Sequence, residues 1–195
     1  MPEFKADADL LEEIGEMQSQ VDRCKQIVSG ILMSSGEARG EGTVRTTVNA
    51  FIDDLVAEWR SSRSPTHIDY VSAFSPDAAI ISDPALKQVI FNVFDNAHEA
   101  SPNWIGVTVR RHEDDLVLSV SDVGSGFDDR ILAELGKPYR SSKNRPGGGL
   151  GLFLVINVVR KLGGTVKAEN HPRGGASVTL TLPIASLSSG GSRER

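Results

Sequence analysis

From Ala6 to Met33 the chain has no proline, and Leu10, Ile14, Met17, Val21, Cys24, Val28 and Ile31 recur at intervals alternating between four and three. Charged and amide side chains fill the positions between them. That interval is a heptad seam, which predicts one long helix over residues 5–34. Such a helix cannot bury its seam alone, so the pattern predicts pairing with another helix or with a second copy of the chain. The alternative is an amphipathic helix lying on its own domain. SSGEARGEG, Ser34 to Gly42, reads as a flexible linker. Met1 to Phe4 reads as a vector-derived remnant and is set aside.

After the linker the periodicity changes repeatedly, as expected of one mixed domain over residues 43–184. Phe51, Ile52, Leu55 and Val56 share one face of a helix from Val48 to Trp59. Ile68–Phe74 and Ala78–Ile81 read as short strands. Ser82 and Asp83 before Pro84 make a strong helix start, and that helix should run to about Ala100, before Pro102. Ile105–Arg111 and Leu116–Ser121 alternate like two antiparallel strands around Glu113, Asp114 and Asp115. Leu150–Leu162 reads as a helix capped by Gly163 and Gly164. Thr165–Ala168 and Ala176–Leu182 make a last hairpin around Pro172, Gly174 and Gly175. This order predicts an α+β, two-layer α/β sandwich preceded by the coiled-coil-type helix. Residues 185–195, Ser/Gly-rich and then charged, are expected to be a disordered tail.

Composition narrows the class. Of 195 residues, 39% are hydrophobic and 24% charged, as in globular proteins, and the net charge of -5 comes without a basic block. That argues against a nucleic-acid partner. No apolar run approaches the ~20 residues of a membrane helix, so no direct membrane contact and a cytoplasmic location are expected. The single cysteine, Cys24, excludes an internal disulfide.

Three segments carry candidate chemistry. On the helix from Pro84, Leu86, Val89, Ile90, Val93 and Ala97 form an apolar face, while Gln88, Asn92, Asn96 and Glu99 share the other. Two Asn one turn apart lower helix propensity, and their side chains suit Mg²⁺ or phosphate oxygens. Asp122-Val123-Gly124-Ser125-Gly126-Phe127 follows a strand directly. Its glycines permit close backbone approach, and its carboxylate can accept a hydrogen bond from an exocyclic amine. Gly147-Gly148-Gly149-Leu150-Gly151-Leu152 precedes a helix, where bare N–H groups make an anion site. Upstream, Lys137, Arg140, Lys143 and Arg145 form a basic, glycine-hinged stretch suited to a mobile lid over phosphates. Neither a P-loop nor a Rossmann fingerprint is present.

In this order and spacing, FNVFDNAHEAS, DVGSGF and GGGLGLFLV resemble the N, G1 and G2 boxes of the GHKL superfamily of histidine kinases, type II topoisomerases, Hsp90 and MutL-like ATPases. The resemblance covers about Thr43 to Ile184. It implies the Bergerat ATP-binding fold, with ATP and Mg²⁺ as cofactors. Asn96 would chelate Mg²⁺, assisted by Asn92. Asp122 would bind the adenine amino group, with Gly124 and Gly126 shaping the pocket. Gly147, Gly149, Leu150 and Gly151 would line the triphosphate side, and Tyr139, Arg140 and Lys143 would lie in the lid. Many histidine kinases carry a basic residue three after the Mg²⁺-binding Asn; here it is Glu99, which is given no phosphate contact.

The ATPase branches place a Glu where this chain has Asn92, so attack by water should be slow here. Phosphoryl transfer to another acceptor, which rests on positioning and charge neutralisation, fits better. The resemblance is therefore to a sensor histidine kinase catalytic domain, with the long helix as the second helix of a dimerisation hairpin. It implies a homodimer, a response regulator receiver domain as partner, and a parent anchored in the inner membrane. None of His67, His98, His112 and His171 has an acceptor-like setting, so this stretch is expected to bind ATP without phosphorylating itself. A GHKL-fold ATPase, an anti-sigma-type serine kinase and a non-ATP-binding phosphotransfer scaffold are the alternatives. QVDRCKQIV, with GKPYRSSK and GLGLFLV, further resembles the RegB/PrrB type of redox-responsive kinase, which makes Cys24 the candidate redox residue; the other reading of Cys24 is a small buried apolar side chain.

Overall fold

The structure, a computed structural model, describes residues 44–62, 67–129, 132 and 150–188. The long N-terminal helix with Cys24, the linker, and Tyr139, Arg140, Lys143, Gly147 and Gly149 lie outside the described residues, and of Leu150 only the backbone is described.

Three helices and a five-stranded sheet form the two layers. Strand β1 is Val44–Thr47 and helix α1 is Val48–Ser62. Strands β2, His67–Ala73, and β3, Ala79–Ser82, precede helix α2, Pro84–Ala100. Strands β4, Trp104–His112, and β5, Asp115–Asp122, form a hairpin. Helix α3 is Leu150–Lys161; β6, Thr165–Asn170, and β7, Ala176–Pro183, follow, then a short helix α4, Ile184–Ser188. The sheet runs β2-β4-β5-β7-β6, with β2 parallel to β4 and every other pair antiparallel.

Helix α1 buries Val48, Phe51, Ile52, Leu55, Val56 and Trp59, the spacing of one helical face. Its start is held from two sides. Thr47 Oγ1 accepts the Ala50 N–H at 3.4 Å, and Asp77 Oδ1 accepts the Asn49 N–H at 3.2 Å. Slight burial pushes the Asp77 carboxyl up, but hydrogen bonds from Thr47, Ala78 and Asn49 outweigh it and hold the group below the usual carboxylate range. Helix α2 begins as its sequence predicts. Asp83 is the N-cap, accepting the Ala85 N–H at 2.7 Å, and Pro84 opens the first turn. The alternation in β4 and β5 sends Ile105, Val107, Val109, Leu116, Leu118 and Val120 inward beneath the helices. The other face carries polar contacts such as Ser119 with Thr179, 2.8 Å.

Two boundaries differ from expectation. Val44–Thr47 is a strand, paired antiparallel with β3 in a separate two-stranded sheet. Residues 185–188, expected to begin a disordered tail, instead belong to α4. Leu187 is buried there, and Ser188 Oγ donates to the Ala79 carbonyl at 2.8 Å. The polar SLSS sequence hid one apolar anchor that docks on β3.

Candidate nucleotide-binding site

Strand β5 ends at Asp122, and the chain turns away through Val123 to Phe127. Asp122 is only 8% exposed. Its Oδ1 accepts the Gly124 N–H at 2.8 Å and the Ala176 N–H at 3.3 Å, which fixes the carboxylate's orientation. Among the described residues both hydrogen bonds fall on Oδ1, so one oxygen of the group is anchored. A carboxylate held in one orientation suits an exocyclic amine.

Absent side chains bring the surrounding backbone close. A Cβ on Gly124 would lie 2.5 Å from the Ala100 carbonyl oxygen at the end of α2. Gly126 has φ +76°, and its Cβ would lie 2.7 Å from Asn170 Oδ1. On the far side, Gly175 has φ +83° and presses so closely on the Asp122 carbonyl that no Cβ fits between them. The loop after Asp122 is thus held between the C-terminus of α2 and the β6–β7 turn. Across from it, Asn96 is half-buried with its carboxamide against the start of α3: a Cβ on Gly151 would meet Asn96 Nδ2 at 3.4 Å. The structure therefore brings Asn96 and Gly151 together, and Asp122, Gly124 and Gly126 together.

Asn92 differs from its expected setting. The polar face of α2 was expected to lie opposite the core, but Asn92 is 5% exposed and accepts a hydrogen bond from Gln88 Nε2 at 3.1 Å. Helix α2 contacts both the sheet and α3, so its second face is covered as well. The middle of the polar face, at Asn92, is enclosed, while Glu99 at its end is exposed. His98 is a local contact: its ring meets Trp59 edge-on at 5.6 Å.

Sequence reasoning missed Asn170, Gly175 and the Ala176 amide. Asn170 Oδ1 accepts the Phe127 N–H at 2.7 Å and its Nδ2 donates to the Phe127 carbonyl at 2.8 Å. The only available signal was an Asn opening the turn at Pro172, Gly174 and Gly175, which also describes an ordinary hairpin.

A profile described as "Histidine kinase-, DNA gyrase B-, and HSP90-like ATPase" matches residues 82–186, more than half of the 195. The chain belongs to this ATPase family. Within it, the chain is similar to "Sensor histidine kinase ZraS" of Klebsiella oxytoca, 42% identical over 175 residues, covering 86% of this chain and 37% of that protein. It is 24% identical to "Sporulation kinase A" of Bacillus subtilis over 169 residues, covering 85% of this chain and 28% of that one. The chain thus spans about a third of the length of these kinases. Among solved structures, "Mycobacterial sensor histidine kinase MprB" superposes with a TM-score of 0.61 at 25% identity, covering 73% of this chain and 97% of that one. The domain is the catalytic ATP-binding domain of the two-component sensor histidine kinases, and the ATPase family supplies its ligand, ATP.

Proposed function

We propose that this domain presents ATP to a histidine on a dimeric helical hairpin, so that the imidazole nitrogen attacks the γ-phosphorus and the bond to the ADP oxygen breaks. The phosphoryl group then passes to a response regulator receiver domain. The observation that carries the reading is the anchored Asp122 carboxylate, with Oδ1 fixed by two backbone amides at the start of a glycine-containing loop. That acceptor takes the adenine amino group. Asn96, against Gly151 at the start of α3, takes the phosphate end, where helix N–H groups favour anions. An amide oxygen at Asn96, with Asn92 one turn earlier, suits Mg²⁺, which when bound neutralises phosphate charge. Gly147, Gly149 and Leu150, together with Tyr139, Arg140 and Lys143, complete the phosphate side in this proposal.

Titration with Mg-ATP tests it. The wild-type chain should bind. Asp122→Ala should weaken binding at least ~10-fold with or without Mg²⁺, the scale of one hydrogen bond to a charged group. Asn96→Ala should remove the Mg²⁺-dependent part alone. Wild type that does not bind favours the phosphotransfer-scaffold reading; Asn96→Ala that binds like wild type removes the Mg²⁺ role.

For the whole protein, the resemblance of QVDRCKQIV and GKPYRSSK supports a RegB/PrrB-type kinase that is cytoplasmic in this portion, anchored in the inner membrane, and dimeric through residues 5–34. Among the described residues no helix is long and apolar enough to cross a membrane. Cys24 on the heptad seam is then the redox residue, and mild oxidation should yield a disulfide-linked dimer. Monomer on non-reducing gels after oxidation, with Cys24→Ser as control, would remove that role.

A further inference from the structure

Two anchors at one end of the β6–β7 hairpin hold the two ends of the loop after β5. One is the Ala176 N–H on Asp122 Oδ1. The other is Asn170, which faces Ala176 across the strand pair and engages both polar atoms of its side chain on the main chain of Phe127. We propose that Asn170 is a positioning residue for adenine-nucleotide binding, fixing the loop beside Asp122 by locking the Phe127 peptide in place. The proposal rests on the ATP reading of that loop.

Burial does not require an amide at this position, since Asn170 is exposed and ends its strand. Beyond Asp122 the loop has left the sheet ladder, and between Val123 and Gly126 its hydrogen bonds to described residues are few. Gly124 N–H donates back to Asp122, and Ser125 Oγ reaches the Gly126 carbonyl at 3.5 Å, a weak contact. The Asn170 carboxamide does for Phe127 what a neighbouring strand residue would do, donating and accepting at once. Two bonds to one residue fix the orientation of its peptides as well as their position. Asp lacks the donor, Ser is too short to make both bonds, and Gln places the carboxamide one methylene too far. Gly126, at φ +76°, lies directly beneath the carboxamide with room only for hydrogen. Removing the clamp leaves Asp122 anchored but lets Gly124–Phe127 sample other positions. Apparent affinity then falls by the fraction of time the loop is correctly placed.

The test uses the full 195-residue chain, with Mg-ADP and Mg-GDP titrated against wild type, Asn170→Ala and Asn170→Gln. Asn170→Ala should raise the Kd for ADP about tenfold, of the order lost with one or two net hydrogen bonds. Its preference for ADP over GDP should shrink, and the Phe127 amide should exchange faster with solvent. The ligand-free thermal midpoint should stay within about 2 °C of wild type, no more than a 1 kcal/mol destabilisation gives in a chain of this size. Asn170→Gln, which keeps a polar amide on the surface, should show the same loss. A folded Asn170→Ala with unchanged Kd overturns the proposal. So does an equal loss for both nucleotides accompanied by a lower ligand-free midpoint, which marks a structural role. Failure of wild type to bind either nucleotide overturns the ATP reading, and this proposal with it.

Discussion

Replacing Trp59 with alanine is expected to destabilise the domain by about 3–5 kcal/mol, the range for removing a large buried aromatic side chain. Trp59 is 1% exposed at the end of α1. Its ring meets Phe94 edge-on at 5.7 Å and His98 edge-on at 5.6 Å, and its Nε1–H donates to Asp95 Oδ1 at 2.9 Å. All three partners are on α2. One side chain therefore ties α1 to the helix that carries Asn92 and Asn96, so nucleotide affinity should fall with stability. Trp59→Phe keeps most of the aromatic packing but removes the indole donor and part of the ring volume, for an expected loss of about 1–3 kcal/mol. Urea unfolding of the three proteins measures this directly. An alanine variant within ~1 kcal/mol of wild type would mean that α1 does not pack on α2 as described.

Periodicity revealed the elements whose packing is one-sided. Helix α1 was legible because residues 48, 51, 52, 55, 56 and 59 all face one core. Both ends of α2 were legible because Asp83, Pro84 and Pro102 restrict the backbone locally. Elements stabilised from a distance were not. Strand β1, four residues long with two of them exposed, exists through its pairing with β3, some 35 residues onward. Helix α4 depends on Leu187 and on a carbonyl in β3. The parallel pairing of β2 with β4 leaves no local signature either, since it reports only where α2 returns the chain.

The same division runs through the site. Asp122, Gly124, Gly126 and Asn96 stand out in the sequence because an acid just ahead of turn glycines, or an Asn inside an apolar helix, is costly without a purpose. Asn92 was read as polar and outward because a helical wheel has no knowledge of a second packing surface. The structure buries it instead. Asn170 and Gly175 reach Asp122 and the loop after it only through the pairing of β6 with β7 and of β7 with β5, contacts that sequence spacing does not encode.

Gly175 provides the strongest test of that arrangement. Any L-residue there must adopt φ near +83°, which costs about 1–2 kcal/mol without glycine. Its Cβ must also displace the Asp122 carbonyl, with Asp122 C and Val123 Cα at 2.9 Å behind it. Those are backbone atoms, so no side-chain rotation relieves the overlap: either β7 or the end of β5 must shift. Gly175→Ala is therefore expected to cost about 3 kcal/mol or more, combining backbone strain with overpacking. It should also abolish measurable ATP binding, because Asp122 Oδ1 loses the Ala176 amide when the strands separate. Gly174→Ala is the matched control. It has a positive φ of 95° too, but the nearest atom to its Cβ, the Gly124 carbonyl oxygen, is 4.0 Å away. It should pay the backbone cost alone, about 1–2 kcal/mol, and keep nucleotide binding at temperatures where it is folded. Unfolding curves and ATP titrations of both variants decide the matter. Equal effects at the two glycines would mean that strain in the turn, and not its contact with Asp122, governs the site.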